Sequence, residues 1–121
     1  MTIQEVSEKT GLSKHTLRYY EKIGLIDTVK KSKSNYRIYN QNDLNRLEFI
    51  CNMREAGMGI SKLKEYIQLT SQGENTVEER RGILLENKKK IQEEIKLLEK
   101  SMNYIEYKIE NYDSIIKNKK I

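Results

Sequence analysis

Seven of the nine residues from 14 to 22 carry side chains suited to binding a polyanion. Cations and hydroxyl groups donate hydrogen bonds to phosphate oxygens and base edges, and aromatic rings pack on the sugar backbone. The pattern predicts nucleic-acid recognition; the alternative is an ordinary amphipathic helix whose tyrosines are half-buried. The candidate DNA-binding residues of this segment are Lys14, His15, Thr16, Arg18, Tyr19 and Tyr20.

The distribution of charge favours the same kind of partner. The net charge is +5, and residues 1–40 hold eight Lys and Arg against four Asp and Glu. A basic N-terminal third beside a nearly neutral remainder is typical of a protein whose N-terminal part binds a polyanion. A solvated basic surface is the alternative.

Groups for other kinds of chemistry are scarce. The chain has one histidine, one cysteine and six glycines without phosphate-loop spacing. We therefore expect no catalytic residue, no metal site, no cofactor and no intrachain disulfide, and the protein is not expected to be an enzyme. Because neither a run of about 18 apolar residues nor a secretory signal occurs, we expect a cytoplasmic protein without a membrane partner.

Two short helices joined by a turn position the basic segment. Thr2 caps the first helix, Gly11 ends it, and Ser13 caps a second helix that runs from about residue 14 to 23, which is a helix-turn-helix. The segment 25–39 predicts a small hairpin, or wing, around a basic turn. Tyr36 and Arg37 are its candidate DNA contacts, and Lys62 is a candidate contact beside a second turn at 58–59.

Two further helices form the predicted core of an N-terminal domain over residues 1–72. The first begins at the N-cap Asn40 and ends at Gly57, and apolar residues cover most of its circumference. Cys51 lies on its apolar arc. The second, from about residue 60 to 69, covers the same core.

A heptad pattern fills the remainder, residues 73–121. Two apolar series recur every seven residues and lie side by side from Ile91 onward, so the sequence predicts a coiled coil from Thr76 to about Asn118. Such a seam needs a partner, and a second copy of the chain is the obvious one. The sequence alone does not decide between parallel and antiparallel pairing. The predicted dimerisation residues are Ile91, Ile95, Leu98, Met102, Ile105, Ile109, Tyr112 and Ile116.

The string from Thr16 to Ile26 resembles the recognition-helix motif of the MerR family of bacterial transcription regulators. The segment 36–39 resembles that family's first wing, and the long terminal helix resembles its dimerising coiled coil. The resemblance implies a mainly α homodimer with a winged helix-turn-helix at each end of an antiparallel coiled coil. It also implies binding to double-stranded promoter DNA and distortion of that DNA for RNA polymerase, at an energetic cost of a few kcal/mol that the protein contacts offset.

Three positions depart from the family pattern. Asp27-Thr28 stands where proline is usual, Gly59 stands where a capping Ser or Thr is common, and Asn35 stands where a glycine is expected. Gly caps a helix almost as well as Ser or Thr, and Asn tolerates a left-handed backbone, so we expect the same turn at Asn35.

The signal that controls the protein is open. The short chain and its lone cysteine resemble the aldehyde- and thiol-stress-responsive branch of the family, which makes Cys51 a candidate sensor, although it is displaced by one position from that branch's cysteine. The alternatives are a buried, inert Cys51 and a pocket between the long helix and the N-terminal domain, lined by Tyr66, Tyr104 or Tyr107. A different class of function, a non-specific DNA-coating protein or a coiled-coil adaptor, is also open.

Overall fold

The described part of the protein is mainly helical, as predicted. The computed structural model describes residues 1–27 and 30–119, so Thr28 and the end of the basic tail at Lys120 lie outside the described residues. Within these ranges no helix is long and apolar enough to cross a membrane. The elements are α1 Ile3–Thr10, α2 Lys14–Lys22, β1 Lys30–Lys31, β2 Arg37–Ile38, α3 Gln41–Glu55, α4 Ile60–Ser71, a 3₁₀ turn Glu74–Thr76 and α5 Val77–Lys119.

Short polar side chains begin the helices of the N-terminal part. The Thr2 hydroxyl accepts from the Glu5 N–H at 3.2 Å, and the Ser13 hydroxyl accepts from the Thr16 N–H at 3.1 Å. Asn40 and Asp43 form a full capping box, in which each side chain accepts from the other residue's backbone N–H. These bonds satisfy amide groups that a helix start would otherwise leave unpaired.

The wing is a two-stranded antiparallel hairpin. Lys30 lies opposite Ile38, and Lys31 lies opposite Arg37. Asn35 adopts φ 66°, the left-handed backbone that allows the chain to reverse, and its N–H donates to the Ser32 carbonyl at 2.9 Å. The expectation that asparagine replaces glycine in this turn is confirmed.

One hydrophobic core holds α1 to α4, the wing and the start of α5 together. Tyr39 ties the wing to α1, because its backbone N–H donates to the Met1 carbonyl and its carbonyl accepts from the Met1 amino group, both at 2.7 Å. The buried residues of the cluster are Val6, Leu17, Tyr20, Leu25, Ile26, Tyr39, Leu47, Ile50, Met58, Leu63, Ile67 and Ile83.

The chain divides into two compact units, Met1–Leu84 and Leu85–Ile121. The sequence placed the division at residue 72. The first compact unit extends past that position, since Thr76 and Ile83 are both buried and Ile83 belongs to the core of this unit.

A buried hydroxyl joins α4 to the start of α5. Thr76 is only 2% exposed, and its hydroxyl hydrogen is shared between the Leu69 carbonyl at 2.7 Å and the Gly73 carbonyl at 2.9 Å. The same oxygen accepts from Nε of Arg80 at 3.1 Å. Thr76 therefore bonds back to α4, in addition to its predicted position at the helix start.

Replacing Thr76 by valine keeps the shape of the side chain and removes these bonds. Because buried polar groups then lose their partner, we expect Thr76→Val to lower the free energy of unfolding by about 1–3 kcal/mol in urea titrations. Thr70→Val is the matched control, since within the described residues the Thr70 hydroxyl bonds to the Ile67 carbonyl of its own helix and to no other element. An equal loss in the two variants would contradict a special role for Thr76.

Candidate nucleic-acid interface

Helix α2 presents most of the predicted DNA-binding residues on one exposed surface. Lys14, His15, Arg18 and Tyr19 are exposed, and Thr16 is half-buried at the start of the helix. Leu17 lies on the opposite side in the core. The helix therefore has a buried apolar side and an exposed side rich in hydrogen-bond donors, as a recognition helix requires.

Tyr20 is the exception among the predicted contacts. Its side chain is 7% exposed and belongs to the core, so the expectation that it contacts DNA is corrected. The centroid of its ring lies 6.2 Å from that of the Tyr19 ring. Tyr20 and Leu17 are the buried residues of α2 and form its core-facing side. The spacing of Leu17 and Tyr20, three residues apart, was the signal for a shared buried side.

The wing places a tyrosine and several lysines at the surface. Tyr36, the residue before β2, is 74% exposed, and Lys30, Lys31 and Lys33 are exposed on β1 and the turn. An exposed ring beside cations suits contact with a sugar–phosphate backbone.

An ion pair fixes the wing against α2. Nε of Arg37 donates to the Glu21 carboxylate at 2.8 Å, with side-chain exposures of 28% and 11% respectively. Arg37 was predicted to contact DNA, and in the structure its guanidinium is paired with a carboxylate of α2. Glu21 is the functional residue that sequence reasoning missed; the signal was one acid within a helix of cations.

Lys62 lies apart from these groups, in the first turn of α4. Its ammonium is 3.3 Å from the Glu65 carboxylate in an exposed pair. The N-cap Gly59 offers no side-chain bond to the helix start. Because exposed pairs of this kind contribute little, Lys62 stays available for an anion.

Cys51 is half-buried on α3 and poorly placed for thiolate chemistry. Burial raises the pKa of its thiol, and the carboxylates of Glu55 and Glu48 raise it further. A thiol needs nearby positive charge to ionise near neutral pH. This environment favours the inert alternative.

The predicted seam runs along α5 as an exposed stripe. Ile91 is half-buried, and from Ile95 to Ile116 the seam residues are 48–68% exposed in one copy of the chain. A soluble protein rarely leaves so long an apolar stripe in water. The exposed members are Ile95, Leu98, Met102, Ile105, Ile109, Tyr112 and Ile116.

A cavity of about 500 Å³ opens between α3, α4 and residue 27. Tyr66, one of the three tyrosines expected at a sensor pocket, lines it. Tyr104 and Tyr107 belong to the other compact unit, where their ring centroids lie 6.5 Å apart.

Comparison with known proteins identifies the family. The family model described as "MerR HTH family regulatory protein" matches residues 1–70, and the one described as "MerR, DNA binding" matches residues 44–106. The chain belongs to the MerR family.

Relatives of this MerR family member include the regulator AdhR of Bacillus subtilis (strain 168). It is 43% identical over 91 residues, which are 75% of this chain and 65% of AdhR. A MerR family regulator from Listeria monocytogenes superposes with a TM-score of 0.84 at 36% identity, covering 93% of this chain and 86% of that one. HiNmlR, a family member lacking the sensor domain and bound to promoter DNA, superposes with a TM-score of 0.80 at 29% identity over the same shares.

The surroundings of Cys51 predict slow reaction with electrophiles. Because the pKa of the Cys51 thiol is raised in the folded chain, its iodoacetamide alkylation rate should reach half its maximum at a higher pH than that of a cysteine in an unstructured peptide. Glu55→Gln should move the half-point to lower pH by removing one negative charge, and Glu93→Gln on α5 should leave it unchanged. A half-point at or below that of the unstructured peptide would contradict the inert thiol.

Proposed function

We propose that this MerR family member is a sequence-specific regulator of transcription that binds promoter DNA as a homodimer. The observation that carries the proposal is the exposed donor surface of α2 beside a wing clamped to it by the Glu21–Arg37 pair. The match of its fold to a family member bound to promoter DNA supports the same function.

In this proposal α2 lies in the major groove. Arg18 is the residue best suited to read a base, since a guanidinium makes two parallel bonds to guanine. Lys14, His15, Thr16 and Tyr19 contribute contacts to the backbone and base edges around it. Tyr36, the wing lysines and Lys62 contact phosphates, which fixes the register of α2 without reading sequence. Arg37 holds the wing in place through Glu21.

The stripe on α5 supports a second copy of the chain as the partner. A coiled coil of two α5 helices removes the seam from water and places one DNA-binding domain on each half of a palindromic site.

The charges of α5 favour antiparallel pairing. Residues 80–90 hold five Lys and Arg and one Glu, whereas residues 106–113 hold three Asp and Glu and one Lys. Parallel pairing sets Arg81 and Lys88 against the same residues of the second copy. Antiparallel pairing instead lays the basic stretch beside the acidic one, where opposite charges attract.

Such a dimer distorts promoter DNA and thereby controls how well RNA polymerase can start transcription from that promoter. Bending a site of 20–30 base pairs costs of order 1–6 kcal/mol, which the contacts of two DNA-binding domains offset. A small molecule or an electrophile controls the switch, and the environment of Cys51 favours a small molecule held without a covalent bond.

Arg18→Ala tests base reading by α2. If Arg18 reads a base, we expect a loss of about 1–3 kcal/mol in binding to a duplex selected from a randomised library, concentrated at particular base pairs. Fluorescence anisotropy at fixed salt measures it, with Lys100→Ala, an exposed cation of α5 outside the seam, as the control. A uniform loss on every duplex would make Arg18 a phosphate contact instead.

Ile105→Glu tests the seam. A charge without a partner at a buried coiled-coil position is strongly unfavourable, so we expect a monomer in sedimentation equilibrium. Asn103→Glu, two residues away and outside the seam, introduces the same charge and should remain a dimer. A dimeric Ile105→Glu protein would overturn the assignment of the seam.

A further inference from the structure

The cavity in the first compact unit has the size and lining of a ligand site. Its volume of about 500 Å³ falls within the range of small-molecule pockets. Every lining residue belongs to the stretch 27–70, so the cavity is formed within one compact unit. The lining residues are Asp27, Asn42, Asp43, Asn45, Arg46, Phe49, Tyr66, Ile67 and Thr70.

Two stacked rings give the cavity an apolar wall. The centroids of Phe49 and Tyr66 lie 5.1 Å apart with an angle of 23° between the ring planes. Both rings are half-buried, and Ile67 adds an aliphatic surface beside them. A flat, partly open aromatic surface of this kind suits another ring.

Charges of both signs line the same cavity without neutralising one another. In the described residues the ion pairs are Arg37–Glu21 and Lys62–Glu65, and neither involves the cavity. Arg46 is half-buried as a residue, and its guanidinium has no hydrogen bond to residues 1–27 or 30–119. One carboxylate oxygen of Asp43 accepts a hydrogen bond from the Asn40 N–H, and the second oxygen has no hydrogen bond within the described residues. Asp27 is exposed.

This combination selects among ligand classes. A simple cation would leave the half-buried Arg46 without a partner of opposite charge. A simple anion would be repelled by the carboxylates of Asp27 and Asp43. A neutral ring pairs with none of the three charges. A ligand that carries an ammonium and a carboxylate pairs with both signs, and a ring on the same ligand lies on Phe49 and Tyr66.

We propose that the cavity binds a small aromatic zwitterion, a molecule of the size and chemistry of an aromatic amino acid, as the effector of the regulator. The proposal rests on the proposed function. Arg46 binds the carboxylate, Asp27 and Asp43 bind the ammonium, and the stacked rings bind the aromatic group. Binding is non-covalent, since the lining residues include no thiol and no amine.

The position of the cavity links it to α5. Thr70 lines the cavity next to Leu69, whose carbonyl accepts from Thr76 at the joint between α4 and α5. A ligand seated against α3 and Thr70 thus acts on the residues that hold the start of the long helix.

Three probes of one skeleton test the charge requirement on the full chain without DNA. L-Phenylalanine carries both charges, 2-phenylethylamine carries only the ammonium, and 3-phenylpropionate carries only the carboxylate. We expect calorimetry to give L-phenylalanine a Kd of about 0.1–1 mM, as for small weak ligands, and at least tenfold weaker binding for the other two. The Ile67 methyl signals should shift in NMR spectra on titration.

Single substitutions test the assignment of the charged groups. Arg46→Gln and Asp27→Asn should each weaken L-phenylalanine binding about tenfold or more. Lys100→Gln and Glu93→Gln, which remove one charge of each sign from the exposed side of α5 outside the seam, should leave it unaltered. Both cavity residues reach solvent, and unchanged circular dichroism will confirm that the variants are folded.

Equal or tighter binding of either analogue would overturn the proposal, as would no binding of any probe or no effect of the two cavity substitutions. Anisotropy with the selected duplex, run in parallel, separates the outcomes. Protein that binds DNA and none of the probes sinks the effector proposal alone. Protein that binds L-phenylalanine and no duplex sinks the proposed function.

Discussion

The two-sided character of α2 is the constraint on which the remaining structure depends. Leu17 and Tyr20 bury one side of a nine-residue helix in the core, and this burial turns the donors of the other side outward. Such a short helix is marginal by itself, so its orientation derives from packing. The Glu21–Arg37 pair then uses the edge of the same helix to hold the wing. Because Glu21 is largely buried, the pair is shielded from solvent more than a surface pair would be.

The long helix imposes the second requirement. With 43 residues and a regular apolar stripe, α5 cannot cover its own seam. In the proposed dimer a second copy covers the stripe and doubles the DNA-binding domains, which turns a modest contact by one short helix into a specific one. Arg81 and Lys88 in the seam then act against parallel pairing. The Thr76 hydroxyl fastens the start of α5 to α4 within the first compact unit.

Local features were predictable from the sequence because they depend on neighbouring residues. The caps at Thr2, Ser13 and Asn40, the hairpin and the left-handed Asn35 follow from side-chain chemistry within a few positions. Tyr20 was misassigned, because a tyrosine in a basic helix serves equally as a core anchor or a surface contact, and only packing decides. The Glu21–Arg37 pair joins residues 16 positions apart, and no periodic pattern in the sequence predicts it.

The cavity was the least predictable feature. Its walls come from three separate segments, and its stacked rings are 17 positions apart on α3 and α4. The sequence indicated Tyr66 as a pocket residue but assigned it neighbours on α5, since nothing local pairs it with Phe49. That Arg46 forms no ion pair within residues 1–27 and 30–119 is likewise a property of the folded chain alone.

The most direct test of sequence-specific recognition is a competition binding measurement near 0.15 M salt. The wild-type protein binds a labelled duplex selected from a randomised library, and unlabelled selected or scrambled duplex competes. If α2 reads base sequence, the selected duplex will compete at least about a thousandfold better than the scrambled one. Equal competition by both duplexes, with affinity that falls steeply as salt rises, would contradict it and identify a protein that coats DNA without reading it.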